Sequence, residues 1–83
     1  VNAKIYITLK KGILEPQGKA IQHSLFDLGY KEIQEVRVGK IIEIKMKGTN
    51  KEEAGNKLKE MCKKLLANTV IEDYRFEIDP DVE

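Results

Sequence analysis

Val36-Arg37-Val38-Gly39-Lys40-Ile41-Ile42-Glu43-Ile44-Lys45-Met46 is the stretch on which the fold of this chain turns. Val36 and Val38 flank a charged residue, and Ile42, Ile44 and Met46 alternate with Glu43, Lys45 and Lys47. That is the two-residue period of half-buried strands. Gly39-Lys40 lies between the two runs, and a leading glycine matches a tight two-residue hairpin connection. The spacing predicts two antiparallel strands joined by a turn at Gly39-Lys40.

Upstream, Lys4 to Lys10 also alternates, with Ile5, Ile7 and Leu9 on one face and Lys4, Tyr6 and Thr8 on the other. Gly12 breaks the run. Pro16 suits the first position of a helix, where its missing N–H would be unpaired anyway, and the acid Glu15 favours the positive end of the helix dipole. Ala20, Ile21, Leu25 and Leu28 follow at helical spacing, with Gly29 placed as a left-handed stop. Downstream, Asn50 with Glu53 three residues on is a capping signal. Ala54, Leu58, Met61, Cys62 and Leu65 then form the stripe of a second helix. Gly55 within it costs about 1 kcal/mol relative to Ala, and Asn68 is expected to end it in a left-handed conformation. Glu72 to Ile78 alternates once more, directing Tyr74, Phe76 and Ile78 inward, and Pro80 is expected to close the strand.

The element order strand, helix, strand, strand, helix, strand predicts a two-layer α+β domain over residues 1–83. It is the ferredoxin-like βαββαβ plan, a four-stranded antiparallel sheet with both helices on one face. The other face is then uncovered and carries Lys4, Tyr6, Thr8, Arg37, Ile41, Glu43, Lys45, Asp73, Arg75 and Glu77. Such a mixed surface suits contact with another chain.

Composition narrows the function. Lys+Arg 15 against Asp+Glu 14 gives a net charge of +1, which supplies no field for nucleic acid or an anionic membrane. One cysteine and one histidine make neither an intrachain disulfide nor a Cys/His zinc cluster, and no metal site is expected. No apolar run reaches the length of a membrane span and no signal peptide is visible, so a cytoplasmic location is expected. A chain this short buries a modest share of its surface, which favours sharing stability with a partner or a second copy.

Each candidate for chemistry has a plainer explanation. Cys62 falls on the apolar stripe of the second helix, where a thiol packs as a small hydrophobe. His23 sits on the less apolar side of the first helix with no assisting group. The acidic pairs Glu52-Glu53 and Glu72-Asp73 point in different directions as solvated charges or caps. Lys10-Lys11-Gly12 and Val38-Gly39-Lys40 lack the multiple glycines and helix start of a phosphate loop. Tyr74 and Phe76 belong to the core by their periodicity, leaving only Tyr6 for any base-stacking platform. No catalytic residue is nominated, and the chain reads as an interaction module.

Three segments carry a resemblance that spans nearly the whole chain: Leu14-Glu15-Pro16-Gln17-Gly18-Lys19-Ala20-Ile21, Val36-Arg37-Val38-Gly39-Lys40, and Leu65-Leu66-Ala67-Asn68-Thr69-Val70-Ile71-Glu72-Asp73-Tyr74. In this order they resemble the PurS family, small subunits of phosphoribosylformylglycinamidine synthase. One departure is Glu15, where many members of the family have Asp. The resemblance implies a non-catalytic subunit in de novo purine biosynthesis. It would bridge a synthetase and a glutaminase subunit, support ammonia transfer between them, and associate with itself as a dimer or tetramer. It also implies no cofactor here, with ATP and magnesium bound by the synthetase. Pro16, Gly18 and Gly39 would serve as turn and cap residues of the motifs. Arg37, Lys40, Asn68, Thr69, Glu72 and Arg75, polar and not required by the hydrophobic pattern, are the partner or self-contact candidates. The alternative is a regulatory module similar to the amino-acid-binding ACT domains, which share the element order. An acylphosphatase-like hydrolase would need an arginine in the loop after the first strand, where Lys10, Lys11 and Gly12 stand.

Overall fold

The computed structural model describes residues 1–48 and 50–79. Its elements are β1 (Asn2–Leu9), α1 (Pro16–Asp27), β2 (Lys40–Lys45), α2 (Lys51–Met61), continued by a π-helical turn over Cys62–Leu66, and β3 (Glu72–Asp79). The strands form a three-stranded sheet in the order β2-β1-β3, with β1 antiparallel to both neighbours. Ile5 lies opposite Ile42 on one side and Phe76 on the other, and Ala3 lies opposite Ile44 and Ile78. Because side chains alternate along a strand, this register puts all of these residues on one face.

That face is the core. Ile5, Ile7, Leu58 and Cys62 are almost completely buried, joined by Ala3 and Ala67, with Ile42, Ile44, Met61, Tyr74, Phe76 and Ile78 packed against them. Ala54, Leu58 and Cys62 recur every four residues, so one stripe of α2 and its continuation meets the sheet. The Asn50 side chain accepts from the Glu53 N–H at 3.1 Å and caps α2 as its sequence predicts. With β2, α2 and β3 forming a parallel crossover around the central β1, this half of the molecule is a split βαβ unit.

The expected fourth strand is absent among the described residues, and the sheet has three strands rather than four. Val36-Arg37-Val38 does not join it, because the backbone there is engaged by the start of α1. The Val38 N–H donates to the Glu15 carboxylate at 2.9 Å, and Gly18 lies directly against the Val36 carbonyl. No hairpin forms at Gly39-Lys40 either, and Lys40 simply begins β2 opposite Ile7. Gly39 is not in the left-handed region. It is needed because a Cβ there would come within 2.5 Å of the Ile7 carbonyl oxygen.

Nor do both helices cover one face. No residue of α1 enters the core, and within the helix only Gly18 is buried. Lys10 to Gly39 forms an arm inserted between β1 and β2, in which α1 packs on its own returning segment and stands off the sheet. Ile21, Phe26 and Leu28 are left exposed on it. The radius of gyration is 16.4 Å, against roughly 12 Å for a compact chain of this length. Gly29 ends α1 with φ 103° as expected. Asn68 does not end α2 that way, since no non-glycine described residue has positive φ. The helix widens into the π-helical turn, and the Ala67 N–H reaches back to the Cys62 carbonyl at 3.0 Å. Pro80, the expected end of the last strand, lies outside the described residues.

Candidate docking surfaces

The first surface is built where the arm leaves the sheet. Glu15 immediately precedes the helix-starting Pro16, and its extended backbone turns the carboxylate back over the first helical turn. Oε1 accepts from the Gly18 N–H at 2.6 Å and from the Val38 N–H at 2.9 Å, and Oε2 accepts from the Gln17 N–H at 3.1 Å. Desolvation pushes the Glu15 pKa up, but the three N–H donors and the nearby Arg37 guanidinium outweigh it and hold the group below its ordinary value of 4.5. One turn along, the Gln22 carboxamide donates to the carbonyls of Ile33 at 3.3 Å and Gln34 at 2.9 Å. Gly18, Gln22 and Leu25 share one face of α1, which is therefore the face laid on the returning segment.

Beside this clamp lies a shallow cleft of about 260 Å³ lined by Glu15, Gln17, Val38, Gly39, Lys40 and Glu72, with the end of β1 as its floor. It brings together residues of all three sequence motifs, which are far apart along the chain. Glu72 is held in place by accepting from the Asn68 N–H at 2.7 Å, while the Asn68 side chain accepts from the Val70 N–H at 3.2 Å. The Asn68 carbonyl also receives the N–H groups of Ile71 and Glu72. Asn68 thus shapes the turn through its polar atoms, and Thr69 is exposed at its tip.

The second surface is the uncovered face of the sheet. Arg75 stacks on the Tyr6 ring with its guanidinium carbon 4.0 Å from the centroid and contacts Glu77 at 3.2 Å. The Tyr6 hydroxyl donates to Glu77 at 3.0 Å. Ile41 lies opposite Tyr6 on the other neighbouring strand and is exposed. A small cluster of aromatic, cationic and apolar groups therefore occupies the middle of this face, the composition enriched in protein contact surfaces. Arg37, expected on this face, sits instead on the returning segment of the arm, beside Glu15.

Of the nominated residues, Lys40 and Glu72 meet in the cleft, Asn68 and Thr69 form the turn next to it, and Arg75 lies apart on the open face. Glu15 and Gln22 were not nominated. Glu15 is visible in the sequence only as an acid before a proline, and nothing local announces that its carboxylate reaches a backbone N–H 23 residues away.

His23 is exposed on α1, and Cys62 is buried under α2, where burial pushes its thiol pKa up and away from the nucleophilic thiolate. Among the described residues no group of three or more His, Cys, Asp or Glu side chains is placed to hold a metal ion. No helix among them is long and apolar enough to cross a membrane.

Residues 2–80 match the model of the family described as PurS: phosphoribosylformylglycinamidine (FGAM) synthase. The chain belongs to the PurS family. The chain is 49% identical over 92% of its length to the PurS subunit of phosphoribosylformylglycinamidine synthase from Bacillus subtilis, covering 89% of that protein. It superposes on solved Methanocaldococcus jannaschii PurS with a TM-score of 0.86 at 44% identity, covering 96% of both chains. That protein is described as one of the subunits of formylglycinamide ribonucleotide amidotransferase in the purine biosynthetic pathway. A chain in the structure of PurLQS from Thermotoga maritima matches with a TM-score of 0.78 at 28% identity, over 93% of this chain and 96% of that one. The chain is thus of the kind that forms the small subunit of FGAM synthase in purine biosynthesis. The ACT-like alternative is not favoured.

Proposed function

We propose that this chain is the bridging subunit of FGAM synthase in the cytoplasm. It associates with itself, links the synthetase and glutaminase subunits, and supports the transfer of ammonia between them. ATP and magnesium belong to the synthetase subunit in this reading, and the present chain binds no cofactor. The observation that carries it is the arm, a helix held away from the sheet with Ile21, Phe26 and Leu28 uncovered. Apolar side chains in that position are stabilised by burial against another surface, at roughly 25 cal/mol per Å². A second copy is the self-complementary candidate, since each copy offers the same stripe to the other. The cleft lined by Lys40 and Glu72 and the Arg75 cluster on the open face are the surfaces proposed for the larger subunits.

Reconstitution tests the reading. With the synthetase and glutaminase chains present, omission of this chain is expected to abolish stable co-purification and to slow glutamine-dependent turnover, while turnover with free ammonium is largely spared. Full glutamine-dependent activity in its absence would refute bridging.

A further inference from the structure

The arm is attached to the sheet at two places only a few residues long. Where it leaves, the Lys10 N–H donates to the Ile71 carbonyl at 2.8 Å. Where it returns, Gly39 lies in contact with the Ile7 carbonyl and the Thr8 methyl. Between these points α1 contributes nothing to the core, so core packing does not set its direction. The setting must come from contacts inside the arm.

We infer that the Glu15 carboxylate is the lock that fixes the direction of the α1 arm, and that it controls self-association by doing so. The inference rests on the reading of α1 as the self-association element. Glu15 is suited to the role by what its two oxygens join. Gln17 and Gly18 are the first turn of α1, and Val38 is two residues before β2, whose ladder with β1 is fixed. A single carboxylate therefore ties the helix start to the sheet. Glycine at position 18 lets the two backbones close on each other, because a Cβ there would collide with the Val36 carbonyl and the Glu15 carboxylate. Gln22 extends the same contact by one turn. Charge matters as well as shape, since three N–H groups converge on the carboxylate and a carboxylate can only accept. A carboxamide of the same size has a single, uncharged acceptor oxygen, so it would bond Gly18 and Val38 more weakly and could do so only by turning its NH₂ against the Gln17 N–H.

Glu15→Gln is thus the diagnostic variant, read by amide proton exchange and chemical shift. Exchange at Val38 and Gly18 is expected to accelerate by about tenfold or more, the loss of a hydrogen bond to a charged acceptor. The Gly18 amide proton should move upfield, protection of Ile5 and Ile7 should be unchanged, and the self-association constant should fall. Unchanged protection at Val38 would overturn the lock, and so would lost protection with undiminished association. A second variant, Ile21→Ser with Leu28→Ser, keeps the two failures apart. If it leaves association intact, α1 is not the contact and the underlying reading fails. If it abolishes association while Glu15→Gln does not, only the lock fails.

Discussion

Two helical glycines in this chain are expected to respond in opposite senses to the same substitution. Replacing glycine by alanine inside a helix ordinarily stabilises it by about 1 kcal/mol, because alanine loses less backbone entropy on folding. Gly55 in α2 has room for the change. A Cβ there would meet Ile78 Cδ1 at 3.6 Å and the Phe76 ring at 3.9 Å, both ordinary packing distances. Gly55→Ala should therefore stabilise the chain by about 0.5 to 1 kcal/mol. Gly18 in α1 has no such room, since its Cβ would fall on the Val36 carbonyl and within 2.6 Å of Glu15 Oε1. Forcing a methyl into filled space costs about 1 to 3 kcal/mol, and collision with backbone lies at the upper end. Against the helical gain, Gly18→Ala should be destabilising by about 2 kcal/mol. The two variants should then differ by roughly 10 °C or more in Tm for a domain of this size. Thermal and urea unfolding at one protein concentration would measure it, since association makes stability concentration-dependent. If Gly18→Ala proved as stabilising as Gly55→Ala, the close approach of α1 to the returning segment would be wrong, and the account of the arm with it.

Leu58→Ala empties the centre of the core beneath α2 and is expected to cost about 2 to 5 kcal/mol by urea unfolding, since Leu58 is fully buried between the sheet and its own helix. The Cys62 thiol, buried with its pKa raised by desolvation, should react with a thiol reagent only as fast as the chain opens, and rapid labelling of the native protein would contradict its placement. Protection of the arm should depend on pH through Glu15, whose pKa is lowered in the folded chain. The stabilisation is fully present above the ordinary value of 4.5 and lost as pH falls through the lower folded value. The protection factor at Val38, its exchange relative to the intrinsic rate at the same pH, should therefore fall on acidification before that at Ile5, and the two falling together would argue against it.

Much of the fold was legible because period alone decides it. β1 and β3 alternate cleanly, the α2 stripe recurs at helical spacing, and Asn50 and Gly29 mark helix boundaries with side-chain chemistry that acts locally. Val36-Arg37-Val38 misled for a physical reason. A two-residue alternation says that side chains point to opposite sides, and it does not say which group takes the backbone N–H. Here Val38 is satisfied by the Glu15 carboxylate, so the segment needs no neighbouring strand. Gly39 looked like a turn residue, yet its lack of a side chain serves contact with Ile7. Asn68 looked like a left-handed stop, yet it works through its carboxamide and carbonyl. Arg37 went with the segment that left the sheet. The cleft was legible only in part, because Lys40 and Glu72 could be named from their motifs while their meeting depends on the register of β1 with both neighbours.

The position of β1 has a consequence for how the chain comes into being. It precedes its two partner strands in the sequence and is the central one in the sheet, and it pairs Asn2 with Asp79 at one end. Its ladder to β3 therefore cannot close until the chain is synthesised almost to residue 79, and such long-range pairing is slow to form. A chain stalled on the ribosome, or shortened by the last strand, would keep one open edge on β1 and lack Tyr74, Phe76 and Ile78 from its core. Only a polypeptide extended through β3 would present the three-stranded sheet and an anchored arm. The order of synthesis would thereby decide when the arm has a sheet to be held against.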